Sequence, residues 1–393
     1  MKIVIAGGGT GGHLFPGIAV AQEFKNRDNS SRLLFIGTER GIESRVVPKE
    51  GFEIKYISSE GIKGKGVLKK MRAVAKIPLG IFQAMQILNS FKPDMVIGVG
   101  GYVSGPVGIA SFLLARLKPR TTKLVIQEQN FFPGVTNRIL GKIADLIFTS
   151  FEDTGKYFTG RKICFTGNPV RREISEISNL KSQISNLKFT LLVFGGSQGA
   201  HSINTAMVEG LKFLEGAKDY IFIIHQTGEK DFEIINRAYD ERGFDAEVAP
   251  FIYNMAEAYK KADLVISRAG ATTLSELTSC GKAAILIPFP FAVDNHQEKN
   301  AIVLKEHNAA EVIIERDLSG KTLADRILSL ANDRGRLSDM EKESRKMGRP
   351  DAAKEIVEQC IRLVTRAPGH QSTRVMILFI AGALVRWCSG ALV

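Results

Sequence analysis

The first residues in the chain that could form a functional site belong to a glycine-rich turn near its start. Ile3 to Ala6 is a short apolar run that leads into the sequence GGGTGGH at positions 7–13. A strand that ends in glycines turns sharply and leaves backbone N–H groups uncovered. A helix that starts near His13 adds the positive end of its dipole, so the turn favours an anion. His13 is then either a solvated residue at the helix start or a base directed at a substrate.

The same turn fits two other interpretations. Gly7, Gly9 and Gly12 match the G-x-G-x-x-G pattern of dinucleotide-binding proteins, which alone is a weak match, and a tight turn in any α/β domain would look similar. An NAD enzyme places an acidic residue after its second strand, where it binds the ribose. Glu39 follows the strand predicted at Leu33 to Ile36 and keeps that alternative open.

Length, composition and charge limit the class of protein. The 393 residues favour two domains, and 44% hydrophobic with 24% charged residues is typical of soluble globular proteins. A formal charge of +12 indicates an anionic partner, whether nucleic acid, acidic lipid or a phosphorylated substrate. The four cysteines are scattered without a C-x-x-C pair, which argues against structural zinc and favours a reducing compartment. The N-terminus does not have the pattern of a secretory signal.

Short apolar runs alternate with segments of helical spacing along the whole chain. This alternation predicts parallel sheets covered by helices on both faces, in two α/β domains. The strands predicted in the first half, after the run at 3–6, are 33–36, 52–57, 94–99, 124–127, 146–149 and 162–165. Those predicted in the second half are 190–194, 220–225, 247–249, 264–267, 284–287 and 311–314.

Two further motifs follow predicted strands in the first half. Gly100 to Pro106 is a second glycine-rich strand-to-helix turn. Asn130 follows the strand at Leu124 to Gln127. It is either the N-cap of a helix or a side chain presented to a ligand at the carboxyl end of the strand.

The second half carries a more specific motif. Gly195 to Ala200 repeats the glycine-rich turn, and Ser267 to Glu276 reads SRAGATTLSE after a predicted strand. Ala271 and Thr272 lie where a helix N-terminus could receive a diphosphate, and Glu276 could accept hydrogen bonds from a ribose diol. The alternative is a capping arrangement in which Glu276 only complements the helix dipole.

A basic segment at Gly61 to Phe91 departs from the alternating pattern. Lysines and an arginine are interleaved with apolar residues, a combination that suits a membrane interface. An ordinary amphipathic helix with a solvated lysine face is the simpler interpretation of the segment by itself. Nucleic-acid binding is disfavoured because Phe82 and Phe91 are its only stacking candidates.

These motifs, taken in order, resemble those of the MurG family of bacterial N-acetylglucosaminyltransferases, which act in peptidoglycan synthesis and so in cell-wall biogenesis, cell shape and division. The resemblance covers about Met1 to Thr365. It rests on GGGTGGH at 7–13, GGYVSGP at 100–106, EQN at 128–130, GNPVR at 167–171, GGSQGA at 195–200, RAGATTLSE at 268–276 and the segment 294–297. Each motif alone could arise by chance, whereas the ordered set is highly specific.

The resemblance implies two Rossmann-like domains facing a cleft, the GT-B type of fold, and a transfer of N-acetylglucosamine from UDP-N-acetylglucosamine to a lipid-linked muramyl-pentapeptide. It implies no cofactor and no metal. The donor residues it implies are Thr10, Gly11, Gly12, Asn130, Arg171, Ser197, Ile252, Ala271, Thr272, Thr273, Leu274, Ser275, Glu276 and Gln297. The acceptor side comprises Gly100, Gly101, Tyr102 and Ser104, with His13 as the catalytic base. The membrane patch it implies comprises Lys69, Lys70, Arg72, Leu79 and Phe82. For that segment the resemblance therefore favours the membrane interface over a solvated amphipathic helix. It also implies a peripheral protein at the cytoplasmic face of the membrane, bound to anionic lipids.

The expected organisation is an acceptor- and membrane-facing domain at 1–168, a linker at 169–188, a UDP-sugar domain at 189–349 and a helix at 350–365 that crosses back. The linker contains a seven-residue microrepeat, and an apolar tail at 366–393 extends beyond the usual family pattern. Its run at Val375 to Val385 is too short to span a bilayer.

The expected chemistry is a single displacement with inversion at the anomeric carbon. No D-x-D triplet occurs, so helix N-termini and Arg171 are expected to compensate the charge of the leaving UDP in place of a metal. Histidine is suited to take the proton from the acceptor hydroxyl. The rival functions are another UDP-sugar transferase or epimerase of the same fold, a catalytically silent nucleotide-sugar-binding protein at the membrane, and an NAD dehydrogenase.

Overall fold

The computed structural model describes residues 1–61, 67–117, 122–160, 162–179, 188–196, 198–292 and 295–365, with only the backbone for 67–75 and 178–179. The chain divides into two compact units. Unit 1 comprises Met1–Asn168 together with residues after Asp351, and unit 2 comprises Pro169–Asp351. Most of the microrepeat, the apolar tail and Ser197 lie outside the described residues, as does Asp294.

Unit 1 is built on a seven-stranded parallel sheet. Up to residue 168 its elements are β1 Lys2–Ala6, α1 Gly11–Arg27, β2 Arg32–Gly37, α2 Glu43–Lys49, β3 Glu53–Tyr56, α3 Val67–Phe91, β4 Met95–Gly98, α4 Gly101–Leu117, β5 Lys123–Glu128, α5 Val135–Leu140, β6 Leu146–Thr149 and β7 Ile163–Phe165, with a 3-10 turn at Glu152–Tyr157. The strand order is β3-β2-β1-β4-β5-β6-β7. The order reverses between β1 and β4, so the turns that follow β1, β4 and β5 lie beside one another at the carboxyl edge.

Unit 2 has a six-stranded parallel sheet in the order β10-β9-β8-β11-β12-β13. The elements after residue 168 are α6 Arg172–Ser175, β8 Phe189–Phe194, α7 His201–Leu214, β9 Ile221–Gln226, α8 Phe232–Arg242, β10 Ala246–Ala249, α9 Met255–Lys261, β11 Leu264–Ser267, α10 Ala271–Cys280, β12 Ala283–Leu286, α11 His296–Glu306, β13 Ala310–Val312, α12 Gly320–Asn332, α13 Arg334–Met347 and α14 Ala352–Thr365. Short 3-10 turns lie at Glu176–Asn179, Glu215–Ala217 and Glu315–Asp317. Here the order reverses between β8 and β11, which brings the N-termini of α7 and α10 to the same edge.

Burial explains why the strands form where the sequence predicts them. Central strands such as β1, β8 and β11 are apolar runs that pack against helices on both faces, and Ile3, Leu191 and Val265 have no exposed surface. All thirteen predicted strands are confirmed, with ends that shift by one or two residues. Helix α1 begins at Gly11, two residues before the predicted start near His13.

The last described helix, α14, completes the core of unit 1. Ile356, Val357 and Cys360 are fully buried in the same cluster as Ile18 of α1 and Ile3 of β1. The chain therefore enters unit 1 twice, before and after it builds unit 2. Among the described residues, no helix combines the length and the apolar composition needed to cross a bilayer.

Candidate functional site

The first glycine-rich turn already holds a carboxylate of the protein. Gly9 N–H donates to Glu43 Oε2 at 2.9 Å, and both the N–H and the hydroxyl of Thr38 donate to Glu43 Oε1 at 2.9 Å. Glu43 is fully buried, and a Cβ at Gly8 would overlap its carboxylate. The anion expected in this turn is therefore an internal side chain that the sequence analysis did not identify. The acidic residue bound at this turn is Glu43 and not Glu39, the exposed candidate for NAD binding.

His13 lies at the junction of the first and second turns. It is partly exposed on the first turn of α1, and its Nδ1 lies 3.1 Å from Gln129 Oε1. A Cβ at Gly100 would lie 2.8 Å from His13 Nδ1, and one at Gly101 would lie 2.6 Å from the carbonyl oxygen of Gly8. Both glycines have positive φ, of 89° and 78°. Glycine at these two positions thus lets the second turn lie directly against the first.

The two polar side chains of the second turn differ in exposure. The Tyr102 hydroxyl lies 3.4 Å from Thr38 Oγ1, and burial raises the pKa of Tyr102. Ser104 is fully buried, and its hydroxyl lies 2.6 Å from the Ala6 carbonyl oxygen and 2.7 Å from that of Gly100. As placed, the Ser104 side chain stabilises the turn rather than facing solvent, and Tyr102 remains the side chain of this set nearest to the surface. Thr10 and Gly12, which begin α1, are exposed.

Asn130 belongs to a loop organised by Glu128. The backbone N–H and the side-chain amide of Asn130 donate to Glu128 Oε1, at 2.9 and 3.2 Å. The other oxygen of Glu128 accepts from Gly134 N–H and from Asn137 Nδ2. Since α5 begins at Val135 after Gly134, the interpretation of Asn130 as a helix N-cap is wrong. The bond to Glu128 occupies the Asn130 side-chain nitrogen and takes no part of its Oδ1.

In unit 2 the turn after β8 interlocks with the ends of β9 and β10. A Cβ at Gly199 would overlap the Thr227 carbonyl oxygen, and one at Gly228 would overlap that of Gln198. Gln226 joins the three segments, because its Nε2 donates to the Gly196 carbonyl at 2.8 Å and its Oε1 accepts from Ile252 N–H at 2.8 Å. The predicted uracil contact Ile252 also lines a pocket of about 320 Å³ together with Val248 and Ala258.

The N-terminus of α10 begins where the sequence predicts it. Gly270 precedes Ala271 with no side-chain cap, and the first N–H groups of an α-helix have no acceptor within the helix. Further along, Leu274 is buried and its N–H donates to the Gly270 carbonyl, while the Ser275 hydroxyl donates to the Ala271 carbonyl. The predicted diphosphate contacts therefore concentrate on Ala271, Thr272 and Thr273.

Glu276 is buried in a polar cluster with two partners. Tyr259, fully buried, donates its hydroxyl to Glu276 Oε2 at 3.0 Å, and Arg171 Nη2 lies 3.5 Å from Oε1. Burial raises the pKa of Glu276, although Arg171 acts in the opposite direction. Since its oxygens contact the side chains of Tyr259 and Arg171, Glu276 does more than complement the helix dipole. The long Arg171 contact leaves Glu276 Oε1 as the oxygen more weakly bound within the protein.

The remaining predicted residues are the donor contact Gln297 and the membrane residues of α3. Gln297 Oε1 accepts from Phe289 N–H at 3.0 Å. The amide nitrogen of Gln297 therefore points away from the Phe289 N–H. On α3, Leu79 and Phe82 are 48% and 58% exposed, whereas Ile77 and Ala84 are buried. The side chains of Lys69, Lys70 and Arg72 lie outside the described residues.

Comparison with known proteins agrees with this arrangement of two units. The N-terminal domain model of glycosyltransferase family 28 matches residues 3–149, and the C-terminal domain model matches residues 190–356. The UDP-N-acetylglucosamine–N-acetylmuramyl-(pentapeptide) pyrophosphoryl-undecaprenol N-acetylglucosamine transferase of Syntrophus aciditrophicus is 48% identical over 93% of this chain and 99% of its own length.

Solved structures give the same relationship. The crystal structure of MurG from Acinetobacter baumannii has a TM-score of 0.70 and 30% identity, and the match covers 92% of this chain and 99% of that one. A UDP-GlcNAc 2-epimerase from Neisseria meningitidis, with bound UDP-GlcNAc, has a TM-score of 0.63 at 15% identity over 92% of this chain and 100% of its own, which shows a common fold alone. The chain is a glycosyltransferase with the GT-B fold, and it belongs to the MurG family within glycosyltransferase family 28.

Proposed function

We propose that this protein transfers N-acetylglucosamine from UDP-N-acetylglucosamine to the C4 hydroxyl of undecaprenyl-pyrophosphoryl-N-acetylmuramyl-pentapeptide, converting lipid I to lipid II. The observation that carries the proposal is the 48% identity over nearly the whole length of a relative named for this transfer. The geometry supports it, because each unit presents glycine-rich turns and helix N-termini at the carboxyl edge of its sheet.

Unit 2 binds the donor in this proposal. The N-terminus of α10, at Ala271 to Thr273, faces the diphosphate, and the dipole of the helix favours its negative charge. Uracil occupies the pocket beside Ile252, and the ribose diol donates to Glu276. The outward amide nitrogen of Gln297 reaches the sugar hydroxyls.

Electrostatic stabilisation by unit 2 is most important when the bond between the sugar and UDP breaks. The anomeric carbon loses the diphosphate oxygen, which leaves with the bonding electron pair and gains negative charge. N–H groups fixed before the reaction stabilise that charge without reorganising. Arg171 adds positive charge from beside Glu276, and Ser197, which lies outside the described residues, is the further donor contact expected from the family.

Unit 1 binds the acceptor and supplies the base. The C4 hydroxyl oxygen attacks the anomeric carbon on the face opposite the diphosphate, which inverts the configuration, and its proton passes to His13. Tyr102 and the glycines at 100 and 101 line the acceptor side, next to His13. The partly exposed position of His13 makes its ring accessible to such a hydroxyl.

The site of action in this proposal is the cytoplasmic face of the membrane. The exposed side chains of Leu79 and Phe82 lie one helical turn apart, on the half of α3 that follows the basic residues at 69, 70 and 72. Further along the same exposed side, Gln86 and Asn89 are polar. Apolar anchors next to cations suit the interface of an anionic bilayer.

The proposed reaction is tested with the purified full chain, UDP-N-acetylglucosamine and a short-chain lipid-linked muramyl acceptor, scored for the disaccharide product. His13→Asn keeps a small polar residue at the helix start but removes the base, so we expect kcat to fall by about 10²–10⁴. UDP affinity measured by calorimetry should stay the same. Absence of product from the unmodified chain overturns the transfer, and more than about a tenth of the rate in the variant overturns His13 as the base.

Membrane docking is tested by sedimentation with vesicles that contain an anionic lipid. Each cation near the surface contributes about 1 kcal/mol, so replacing Lys69, Lys70 and Arg72 with Gln should reduce binding strongly, and salt should do the same. Removing residues 366–393 should matter less. The docking proposal fails if the tail deletion abolishes binding while the triple variant binds as before.

A further inference from the structure

Three buried amide side chains form a continuous series that ends at His13. Gln127 Nε2 donates to Asn168 Oδ1 at 3.0 Å, and Gln129 Nε2 donates in turn to Gln127 Oε1. Gln129 Oε1 then lies 3.1 Å from His13 Nδ1. Gln127, Gln129 and Asn168 are each at most 2% exposed, whereas His13 is partly exposed. The series runs from the interior of unit 1 to the only member of it that a substrate can reach.

The orientation of the Gln129 amide is fixed by a backbone carbonyl. Gln129 Nε2 also donates to the Val99 carbonyl oxygen at 2.7 Å. The bond between Gln127 and Asn168 would also form with the oxygen and nitrogen of each amide exchanged. A backbone carbonyl such as that of Val99, in contrast, can only accept. Rotating the Gln129 amide by half a turn would set its oxygen against the Val99 oxygen at that distance. Gln129 therefore presents its oxygen, and never its nitrogen, to the imidazole.

The orientation of Gln129 decides where the imidazole carries its proton. A neutral imidazole has one N–H and one lone pair, and an oxygen at 3.1 Å requires the N–H at Nδ1. We propose that Gln129 is a positioning residue that holds His13 in the Nδ1–H tautomer, so that the lone pair lies on Nε2, the atom that accepts the proton of the acceptor hydroxyl. This inference rests on the proposed role of His13 as the base.

The backbone around the pair is adapted to this contact. Gly100 has a φ of 89°, and a Cβ there would lie 2.8 Å from His13 Nδ1 and 3.4 Å from Gln129 Oε1. Any larger residue would therefore displace the ring or the amide. The Val99 carbonyl and Gly100 belong to the same strand end, so one turn both orients the amide and leaves room for the ring.

The Gln129 amide also suits the course of the proton transfer. When Nε2 takes the proton from the C4 hydroxyl, the imidazole becomes an imidazolium with N–H groups at both nitrogens. The Nδ1–H group stays bonded to Gln129 Oε1 before and after the transfer, so no hydrogen bond needs to be rearranged.

The tautomer is measured directly by two-bond ¹H–¹⁵N correlation spectra of histidine-labelled full chain at alkaline pH, where histidine side chains are neutral. The chain has six histidines, and the signal lost in His13→Asn identifies His13. We expect the Nδ1–H pattern in the unmodified protein. Gln129→Met removes the acceptor while keeping the volume, and the ring should shift toward the Nε2–H tautomer that free imidazoles prefer.

Kinetics supply the second readout. Removing the outer hydrogen-bond partner of a metal-bound histidine typically reduces activity about 10–100-fold, and we expect a loss of the same order in the kcat of Gln129→Met, with KM for both substrates nearly unchanged. Gln127→Met breaks the series one step further away and leaves the Val99 bond, so it should change neither readout.

Each outcome separates this inference from the proposed function. The inference is overturned if Gln129→Met keeps the Nδ1–H pattern, or if Gln127→Met shifts the tautomer as much as Gln129→Met does. If His13→Asn retains its activity while Gln129→Met still shifts the tautomer, then Gln129 orients the ring but His13 is not the base. If Gln129→Met fails to fold, the unmodified protein decides, because an Nε2–H pattern of His13 in its spectrum overturns the inference.

Discussion

The glycine-rich turns at 7–12 and 195–200 have almost the same sequence pattern but different contents. In unit 1 the turn encloses the Glu43 carboxylate, which accepts the Gly9 N–H and both donors of Thr38. In unit 2 the described residues of the turn accept a bond from the Gln226 amide and pack closely against the backbone of Thr227 and Gly228. A glycine-rich turn thus indicates a place for an anion, but it does not say whether the protein or the substrate supplies that anion.

The largest loss of stability expected from this comparison is at Gly199, whose backbone packs directly against the backbone of Thr227. Gly199→Ala forces a Cβ into the Thr227 carbonyl at a φ of 74°. A positive φ costs an alanine about 1–2 kcal/mol, and the steric overlap adds about 1–3 kcal/mol or more to the loss in the free energy of unfolding. Gly196→Ala is the matched control, because its φ is also positive and, apart from its chain neighbours, no described residue has an atom within 4 Å of its Cβ. Urea unfolding and UDP calorimetry should show a clearly greater loss for Gly199→Ala, and equal losses would contradict the interlocked turn.

A smaller effect is expected when the internal anion of unit 1 is neutralised. Glu43→Gln places an NH₂ group against N–H donors, and losing a charged hydrogen bond at a buried site costs about 1.5–3 kcal/mol of unfolding free energy. Hydrogen exchange resolved by segment should show the loss in unit 1, with UDP affinity unchanged. Glu39→Gln, on the exposed neighbour, should change stability by less than about 0.5 kcal/mol. A tenfold loss of UDP affinity in Glu43→Gln with unit 1 intact would mean that Glu43 serves the donor.

The smallest effect expected, taken over a single pH unit, is a difference between the units in acid. His225 of unit 2 is fully buried between Tyr239 and Asn204. Burial lowers the pKa of His225 to about 3. The unfolded chain protonates this histidine below about pH 6.5 and the folded chain does not, so stability falls as the pH decreases from about 6.5 toward 3, on the order of 1 kcal/mol per pH unit.

Hydrogen exchange corrected for intrinsic rates, recorded by segment between those pH values, measures this slope. Unit 2 should lose protection earlier than unit 1, and His225→Gln should flatten its profile. The exposed His201 provides the control, since His201→Gln should leave most of the slope in place. An unchanged slope in His225→Gln would show that other groups determine the acid sensitivity of unit 2.

The sequence predicted the elements well because their signals are local. Apolar runs such as 264–267 can only be satisfied by burial between two layers of helices, and all thirteen strands form. The start of α10 at Ala271 follows from small residues after a strand, again a local pattern. The family was likewise evident from ordered motifs, and the comparisons confirm that prediction.

The contacts within the sites were not predicted, because they depend on residues far apart in the chain. Glu39 and Glu43 are four residues apart and equally acidic. Only the contact with Gly9, 34 residues earlier in the chain, distinguishes Glu43, which is the buried one. Gln129 was passed over in favour of Asn130, although it meets His13 across 116 residues of chain. Strand order β1-β4-β5 brings that pair together, and no local pattern encodes which side chain of EQN points to which neighbour.

The return of α14 to unit 1 has a consequence for the order in which the protein is made. Unit 2 is one continuous stretch, so it can close its core as soon as Asp351 has left the ribosome. Unit 1 has to wait for Ile356, Val357 and Cys360, although its first 168 residues are synthesised long before. The usual order in which N-terminal domains fold first during translation is therefore reversed here. Until translation passes Cys360, the emerging N-terminal half carries an uncovered apolar surface around Ile18, which is the kind of surface that chaperones bind.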